Sequence, residues 1–186
     1  MTADEVSAVI VTRGDVDLAP ILATLPYAEV LIWDNSSASC YGRYIAASAC
    51  VHDTIFFQDD DVIFTAHDEL LAAYEPGRIT ANMPSPWYER TGYDKLGCCL
   101  VGAGSLVPRD LPARAFKTYL EHFPLDDLFL TYCDFVNGIL NPGCRLDLGY
   151  EICEHATAPG RINTSPDSHL RREVMLERVL ALRGPA

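Results

Sequence analysis

The stretch Thr54-Ile-Phe-Phe-Gln58, followed by Asp59-Asp60-Asp61 and then Val62-Ile-Phe64, is the most informative part of this 186-residue chain. Apolar residues on both sides of the aspartates predict a buried strand that ends where the carboxylates begin. Three adjacent carboxylates repel one another and raise each other's pKa unless a cation offsets their charge. The stretch therefore predicts a divalent-metal site, which points to phosphate chemistry. The alternative is an acidic turn, fully solvated at the edge of a sheet.

The segments before this stretch alternate between strand-like and helix-like patterns. Strands are predicted over 6–12, 29–33 and 54–58, with helices over 17–25 and 41–51 between them. Because the strands are apolar on both faces, the pattern predicts an α/β fold with a doubly wound, mostly parallel central sheet. In such sheets the ligand lies beyond the carboxyl ends of the strands. All three strands end in polar residues, namely Thr12-Arg13-Gly14-Asp15, Asp34-Asn35-Ser36 and Asp59 to Asp61.

The second half of the chain has weaker patterns. Helices are predicted over 67–74, 112–123, 126–140 and 165–182, and strands over 78–83 and 98–101. The last helix is expected to have Ser165 as its N-cap and Pro166 at its first position. The helix over 126–140 is expected to carry one polar stripe, made of Asp127, Thr131, Asp134 and Gly138. The loop between Pro84 and Gly97 is aromatic and contains Trp87, Tyr88 and Tyr93.

Composition narrows the class of protein. With 49% hydrophobic residues, residues 1–186 are expected to form one domain. Seven cysteines without CxxC pairs are expected to be reduced core residues. Apolar runs are too short to span a bilayer, and the N-terminus lacks the pattern of a signal peptide, so we expect a cytoplasmic protein without membrane association.

The net charge of −12 disfavours nonspecific binding to nucleic acid or anionic membranes. The charge is unevenly distributed, because the segment 78–117 contains six basic and three acidic residues. Binding of an anionic acceptor molecule by this half of the chain is therefore not excluded. The six basic residues are Arg78, Arg90, Lys95, Arg109, Arg114 and Lys117.

Four features appear in a characteristic order along the first third of the chain. They are the strand Ala8 to Thr12, the segment Trp33-Asp34-Asn35-Ser36-Ser37, the helix from Gly42-Arg43 to Ala49, and Gln58-Asp59-Asp60-Asp61. In this order they resemble the glycosyltransferases of the nucleotide-diphospho-sugar transferase (GT-A) fold, family-two-like, with a DxD motif. The resemblance implies a Rossmann-like GT-A sheet with a small acceptor-side lobe. Residues 1–65 would form the nucleotide-sugar half and 66–186 the acceptor half with the C-terminal helix.

The resemblance also implies an activity, the transfer of a sugar from a nucleoside-diphosphate sugar, expected to be a UDP-sugar, to an acceptor hydroxyl. The acceptor is either a saccharide or a hydroxymethylated base in DNA, since the aromatic loop suits stacking on both and the basic excess suits a DNA backbone. Asp59 and Asp61 match the DxD motif that brings Mn²⁺ or Mg²⁺ to the donor diphosphate. The donor site is expected to include Thr12, Arg13, Asp34, Asn35, Arg43, Asp60 and Gly104.

Roles in the second half follow from the same resemblance. Cys133-Asp134-Phe135-Val136 lies where the family often has an acidic pair, so the catalytic base is expected to be Asp134, with Asp127 as the alternative. His169 is expected to be the third metal ligand, with His155 competing for that role. Arg171 or Arg172 is expected to neutralise the leaving diphosphate near a helix start.

Two other classes of protein remain open. Asp59-x-Asp61 after an apolar strand also resembles the nucleophile motif of haloacid-dehalogenase-type phosphatases, although Ile63 stands where that motif has Thr or Val. A nucleotide-sugar-binding protein without transfer activity would keep Asp59 and Asp61 but need no base. A classical dinucleotide-binding fold is disfavoured, because no GxGxxG follows the first strand.

Overall fold

The computed structural model of the chain describes residues 1–85, 89, 93, 96–159 and 161–183. The strands in this part of the chain are β1 (Val6–Thr12), β2 (Glu29–Asp34), β3 (Thr54–Asp59), β4 (Val62–Ile63), β5 (Ile79–Asn82), β6 (Ala103–Pro108), β7 (Gly143–Leu146) and β8 (Glu151–Ile152). The α-helices are α1 (Ala19–Leu22), α2 (Gly42–Ala47), α3 (His67–Ala72), α4 (Leu111–Leu120), α5 (Asp127–Leu140) and α6 (Ser168–Leu182).

The central sheet has six strands in the order β2-β1-β3-β6-β5-β7. Strands β2, β1 and β3 are parallel to one another, β6 is antiparallel to both of its neighbours, and β7 is parallel to β5. Helices pack on this mostly parallel sheet, so the α/β class and the sheet type expected from the sequence are confirmed. A separate two-stranded sheet pairs β4 with β8.

Alternate residues of the central strands supply two apolar cores, one on each face of the sheet. Val9, Ile55 and Phe57 face the larger core, which also takes buried residues from α2, α4, α5 and α6. Ala8 and Phe56 face the smaller core, where they meet Leu70 and Leu71 of α3. This two-sided burial explains why the strands are apolar throughout rather than alternating.

The prediction of a strand over 98–101 is wrong, because Ala103–Pro108 forms the strand of the sheet instead. Cys98 and Cys99 are buried in irregular structure, where Cys99 N donates to the Gly138 carbonyl of α5 across 2.9 Å. A short buried apolar run has the same pattern whether its backbone bonds to a sheet or to a helix. The small residues Gly102 to Ser105 therefore form a turn and then enter β6, where Gly104 has a φ of +94°.

Two details of the last helices also differ from expectation. Helix α6 begins at Ser168 with Asp167 as its N-cap, so Ser165 is not the cap. On α5 the stripe expected to be polar is mostly buried: a Cβ at Gly138 would lie 2.4 Å from the Cys99 carbonyl oxygen. Gly138 is therefore a close-packing position, and Thr131 is buried as well.

The register of the sheet brings three strand ends together. Thr12 at the end of β1 pairs with Asp34 of β2, and Val11 pairs with Asp59 of β3. The polar residues that follow these strands consequently lie along one edge of the sheet, as expected. No helix within the described ranges is both long and apolar enough to cross a bilayer.

Candidate functional site

A cavity of about 540 Å³ lies at the carboxyl ends of β1, β2 and β3. Arg13 and Asn35 line it from the first two strand ends, and Asp59, Asp60 and Asp61 line it from the third. Further lining residues come from α5, from α6 and from residues 150–159 and 161–163. Its place at the ends of parallel strands is the place where open α/β sheets bind ligands.

Arg43 of α2 lies at the floor of this cavity, with only 3% of its side chain exposed. Its Nη2 donates to Asp59 Oδ1 across 2.6 Å and lies 3.6 Å from Asp134 Oδ2. Burial opposes the charged form, but the carboxylates of Asp134 and Asp59 outweigh it and raise the pKa of Arg43 well above its usual value. Nε and Nη1 of the same guanidinium are buried without a hydrogen-bond acceptor.

Asp60, the middle residue of the Asp59 to Asp61 triad, has a different partner from Asp59. Arg161 Nη1 donates to Asp60 Oδ1 across 2.7 Å, and Arg161 Nη2 lies 3.7 Å from Asp15 Oδ1. His155 Nε2 lies 2.8 Å from the Asp60 carbonyl oxygen and donates to it. Nε and Nη2 of Arg161 have no hydrogen-bond acceptor. Arg161 therefore lines the cavity with a guanidinium that is only partly hydrogen-bonded.

Asp61 ends the acidic stretch, and the pKa of its carboxyl is raised. Burial, followed by the charges of Asp59 and Asp60, raises the pKa of Asp61 to about 6, although Arg161 and His155 act in the opposite direction. Carboxylate oxygens are ligands for hard cations, so Asp59 and Asp61 are the residues that would hold a divalent metal, whose charge would offset this repulsion. No three His, Cys, Asp or Glu side chains within the described residues already form a metal cage.

Asp134 of α5 faces the cavity with 17% of its side chain exposed. Tyr44 Oη donates to Asp134 Oδ1 across 2.6 Å. Burial raises the pKa of the Asp134 carboxyl, while Arg43 and the Tyr44 hydroxyl oppose that rise. The carboxylate is therefore oriented by two partners and is more basic than an ordinary surface aspartate.

The other residues expected from the second half lie elsewhere, except for Arg172, which lines the cavity. Asp127 is 80% exposed and pairs with Arg171, whose guanidinium also lies 5.6 Å from the centre of the Tyr132 ring. His169 is 81% exposed, and its Nε2 lies 3.3 Å from Glu173 Oε1. The structure therefore brings Asp134 and Arg172 to the cavity and leaves Asp127, Arg171 and His169 outside its lining.

Of the strand-end residues that are expected to hold the donor, some line the cavity and others do not. Asn35 lines the cavity, whereas exposed Asp34 accepts a hydrogen bond from Ser36 N across 2.9 Å. The buried hydroxyl of Thr12 accepts from Gly14 N across 3.1 Å. Gly104 faces the smaller core, because a Cβ there would lie 2.9 Å from Phe64 Cγ.

Aromatic side chains form part of the wall beside Asp134. Tyr93, Tyr132 and Phe135 line the cavity, with the Tyr93 and Phe135 rings 5.2 Å apart and close to perpendicular. Trp87 and Tyr88, also expected to stack on a ligand, lie outside the described residues.

Sequence reasoning did not find two residues that shape this site. Tyr44 and Arg161 contact carboxylates that are 90 and 101 positions away in the chain. Tyr44 lies in the predicted helix after Arg43, but no spacing rule relates either residue to its distant carboxylate. In the sequence, only the residue types could have indicated a role in the site: Tyr44 is a tyrosine beside Arg43, and Arg161 is an arginine before Ile162.

Comparisons of the chain with protein-family models and with curated proteins give no match.

Proposed function

We propose that this protein is a metal-dependent glycosyltransferase that moves a sugar from a nucleoside-diphosphate sugar to an acceptor hydroxyl. One observation carries the proposal: a single cavity at the strand ends holds the Asp59 to Asp61 triad, guanidinium donors without acceptors, and the oriented carboxylate of Asp134. Cation ligands, phosphate-binding donors and a base are the groups that this reaction needs.

The donor is expected to carry phosphate because the cavity-lining guanidinium groups of Arg43 and Arg161 are buried and only partly hydrogen-bonded. A buried donor without a partner costs free energy, and phosphate oxygens are strong acceptors for guanidinium groups. Asp59 and Asp61 would hold Mn²⁺ or Mg²⁺, which when bound offsets the charge that builds on the leaving nucleoside diphosphate.

Asp134 is expected to remove the proton of the acceptor hydroxyl. Its raised pKa makes it a stronger base, and the hydrogen bond from Tyr44 holds its orientation. Asp127 is less suited to this role, because its side chain is exposed and paired with Arg171.

A saccharide is the acceptor that the site favours, because Tyr93, Tyr132 and Phe135 lie in the wall beside Asp134. The basic residues of the segment 78–117 suggested DNA as an acceptor, but those that the structure describes lie outside the cavity. Arg78, Arg109 and Arg114 pair with acidic residues, and with Lys117 they are absent from the cavity lining. Arg90 and Lys95 are outside the described residues.

The test is a screen of UDP- and GDP-sugars against oligosaccharides and hydroxymethylated DNA in the presence of Mn²⁺, read by mass. A saccharide product heavier by one sugar, with release of nucleoside diphosphate, is the expected result. Product on DNA alone would contradict the acceptor class. Release of inorganic phosphate from monoesters would indicate a phosphatase, and donor binding without any release would indicate a binding protein.

A further inference from the structure

One wall of the cavity is a segment with little regular structure. We call residues 150–159 and 161–164 the strap. It contributes six residues to the cavity lining, which are Tyr150, Ile152, Ala156, Arg161, Ile162 and Asn163. The cavity is therefore closed on this side only when the strap is in place.

The start of the strap is fixed by the backbone. Ile152 and Glu151 in β8 pair with Val62 and Ile63 in β4, and Cys153 N donates to the Asp61 carbonyl across 2.9 Å. Beyond Cys153 the backbone hydrogen bonds of the described residues of the strap run within the strap itself, apart from one that Ile162 O accepts from the adjacent Ser165. They join Ala156 N to Cys153 O, Ala158 N to His155 O, Arg161 N to Ala158 O, and Thr164 N to Arg161 O.

Ile162 of this later part packs against the larger core, and side-chain contacts must attach the segment to the sheet. The contact between Arg161 and Asp60 does so, because it is largely removed from solvent, with 11% and 7% of the two side chains exposed. A charged pair at this depth opposes separation, since each charge would lose its partner while still partly buried. His155 adds a hydrogen bond to the backbone of the same aspartate.

We propose that Asp60 and Arg161 are a positioning pair that latches the strap over the acidic end of β3. Asp60 serves this contact, in the same way that Asp59 accepts a hydrogen bond from Arg43. Loss of either partner releases residues 154–164 and opens one wall of the cavity while the sheet stays folded. The latch is independent of the reaction proposed above, because it rests on contacts within the chain.

Amide hydrogen exchange, followed by mass spectrometry on peptides that cover 154–164, tests the latch. Arg161→Gln and Asp60→Asn are each expected to speed exchange there by about 10- to 100-fold, since protection in this segment depends on the pair. The double variant is expected to exchange no faster than the single variants, because both remove the same contact. Arg161→Lys keeps the charge and is expected to restore part of the protection.

Arg171→Gln is the matched control, because it removes an arginine that lines no part of the strap contact and whose partner Asp127 is exposed. It is expected to leave exchange in 154–164 unchanged, and amides of β1 are expected to stay protected in all variants. Unchanged exchange in Arg161→Gln or Asp60→Asn would overturn the inference, and so would effects that multiply in the double variant. Equal acceleration in β1 and in the strap would also overturn it, since the pair would then support the whole fold.

Discussion

The Arg43 guanidinium donates to Asp59 Oδ1 across 2.6 Å from a position where almost none of its side chain is exposed. Its Nη2 is also 3.6 Å from Asp134 Oδ2. One buried cation thus connects the carboxylate expected to bind metal with the carboxylate expected to act as base. The distance between these two functional groups is consequently set by the core and not by a flexible loop.

Arg43→Gln is expected to destabilise the protein by about 3 kcal/mol, because it leaves Asp134 partly buried without its cationic partner. The expected loss of stability lies at the lower end of the range for buried ion pairs, since the Asp59 side chain is 40% exposed. Urea unfolding followed by circular dichroism measures the change. Arg114→Gln is the control, as its pair with Asp110 is exposed and should contribute less than about 1 kcal/mol. Equal effects of the two variants would contradict the prediction.

Asp61→Asn is expected to stabilise the metal-free protein at pH 7 by about 1–3 kcal/mol. The folded-state pKa of Asp61 is raised from 3.8 to about 6, so the native state binds more protons than the unfolded state between these values. The contribution of Asp61 to the free energy of unfolding therefore falls as the pH rises from about 4 to about 6. Thermal unfolding across this pH range checks the sign. Mn²⁺ should raise the melting temperature of the wild type but not of the variant, and an equal rise in both would contradict the metal assignment.

His67 is expected to give the opposite pH dependence. Its Nδ1 lies 3.1 Å from the Tyr27 hydroxyl, and burial lowers the pKa of His67 below its ordinary 6.5. The unfolded state then binds more protons below pH 6.5, so stability falls as the pH drops, by up to about 1.4 kcal/mol per unit. The effect is clearest in an Asp61→Asn background, where the opposing titration is absent. Adding His67→Gln should flatten the slope between pH 6.5 and 5, and an unchanged slope would reject the assignment.

Asp134→Asn is expected to lower the rate of sugar transfer by about 10² to 10⁴, the contribution of a positioned general base. Affinity for the nucleoside diphosphate, measured by calorimetry, should change little, because the amide keeps the shape of the carboxylate. Asp127→Asn on the same helix is the control and should retain its activity. If Asp127→Asn carries the loss instead, the two roles are exchanged, and if neither does, α5 does not supply the base.

Gly102→Ala is expected to displace the Asp59 carboxylate, because a Cβ at this position would lie 2.1 Å from Asp59 Oδ2. The variant should lose Mn²⁺ affinity and destabilise the fold by about 1–3 kcal/mol, as overpacked sites do. A double-mutant cycle identifies the cause: in an Asp59→Ala background the same change should cost less than about 0.5 kcal/mol. A full cost in that background would show that the backbone of Gly102 is responsible.

The opening strands and the acidic triad could be predicted from the sequence, because a buried parallel strand leaves a local pattern. Val6–Thr12 and Thr54–Asp59 are apolar runs that end in polar residues, and their boundaries differ from expectation by at most one residue. The alternation with helices was enough to predict a mostly parallel sheet. Parallel pairing then placed the three polar ends on one edge, as expected.

The rest of the site depended on contacts between distant parts of the chain. Cys98 and Cys99 are buried against α5 instead of joining the sheet, and the α5 stripe with Asp134 and Gly138 faces the interior. Arg161 reaches Asp60 across 101 positions, and Tyr44 reaches Asp134 across 90. A periodic pattern reports whether a segment is buried but not which partner buries it. The sequence alone therefore determined the strand ends and their carboxylates, and only the tertiary structure decided which cationic and hydroxyl side chains contact them.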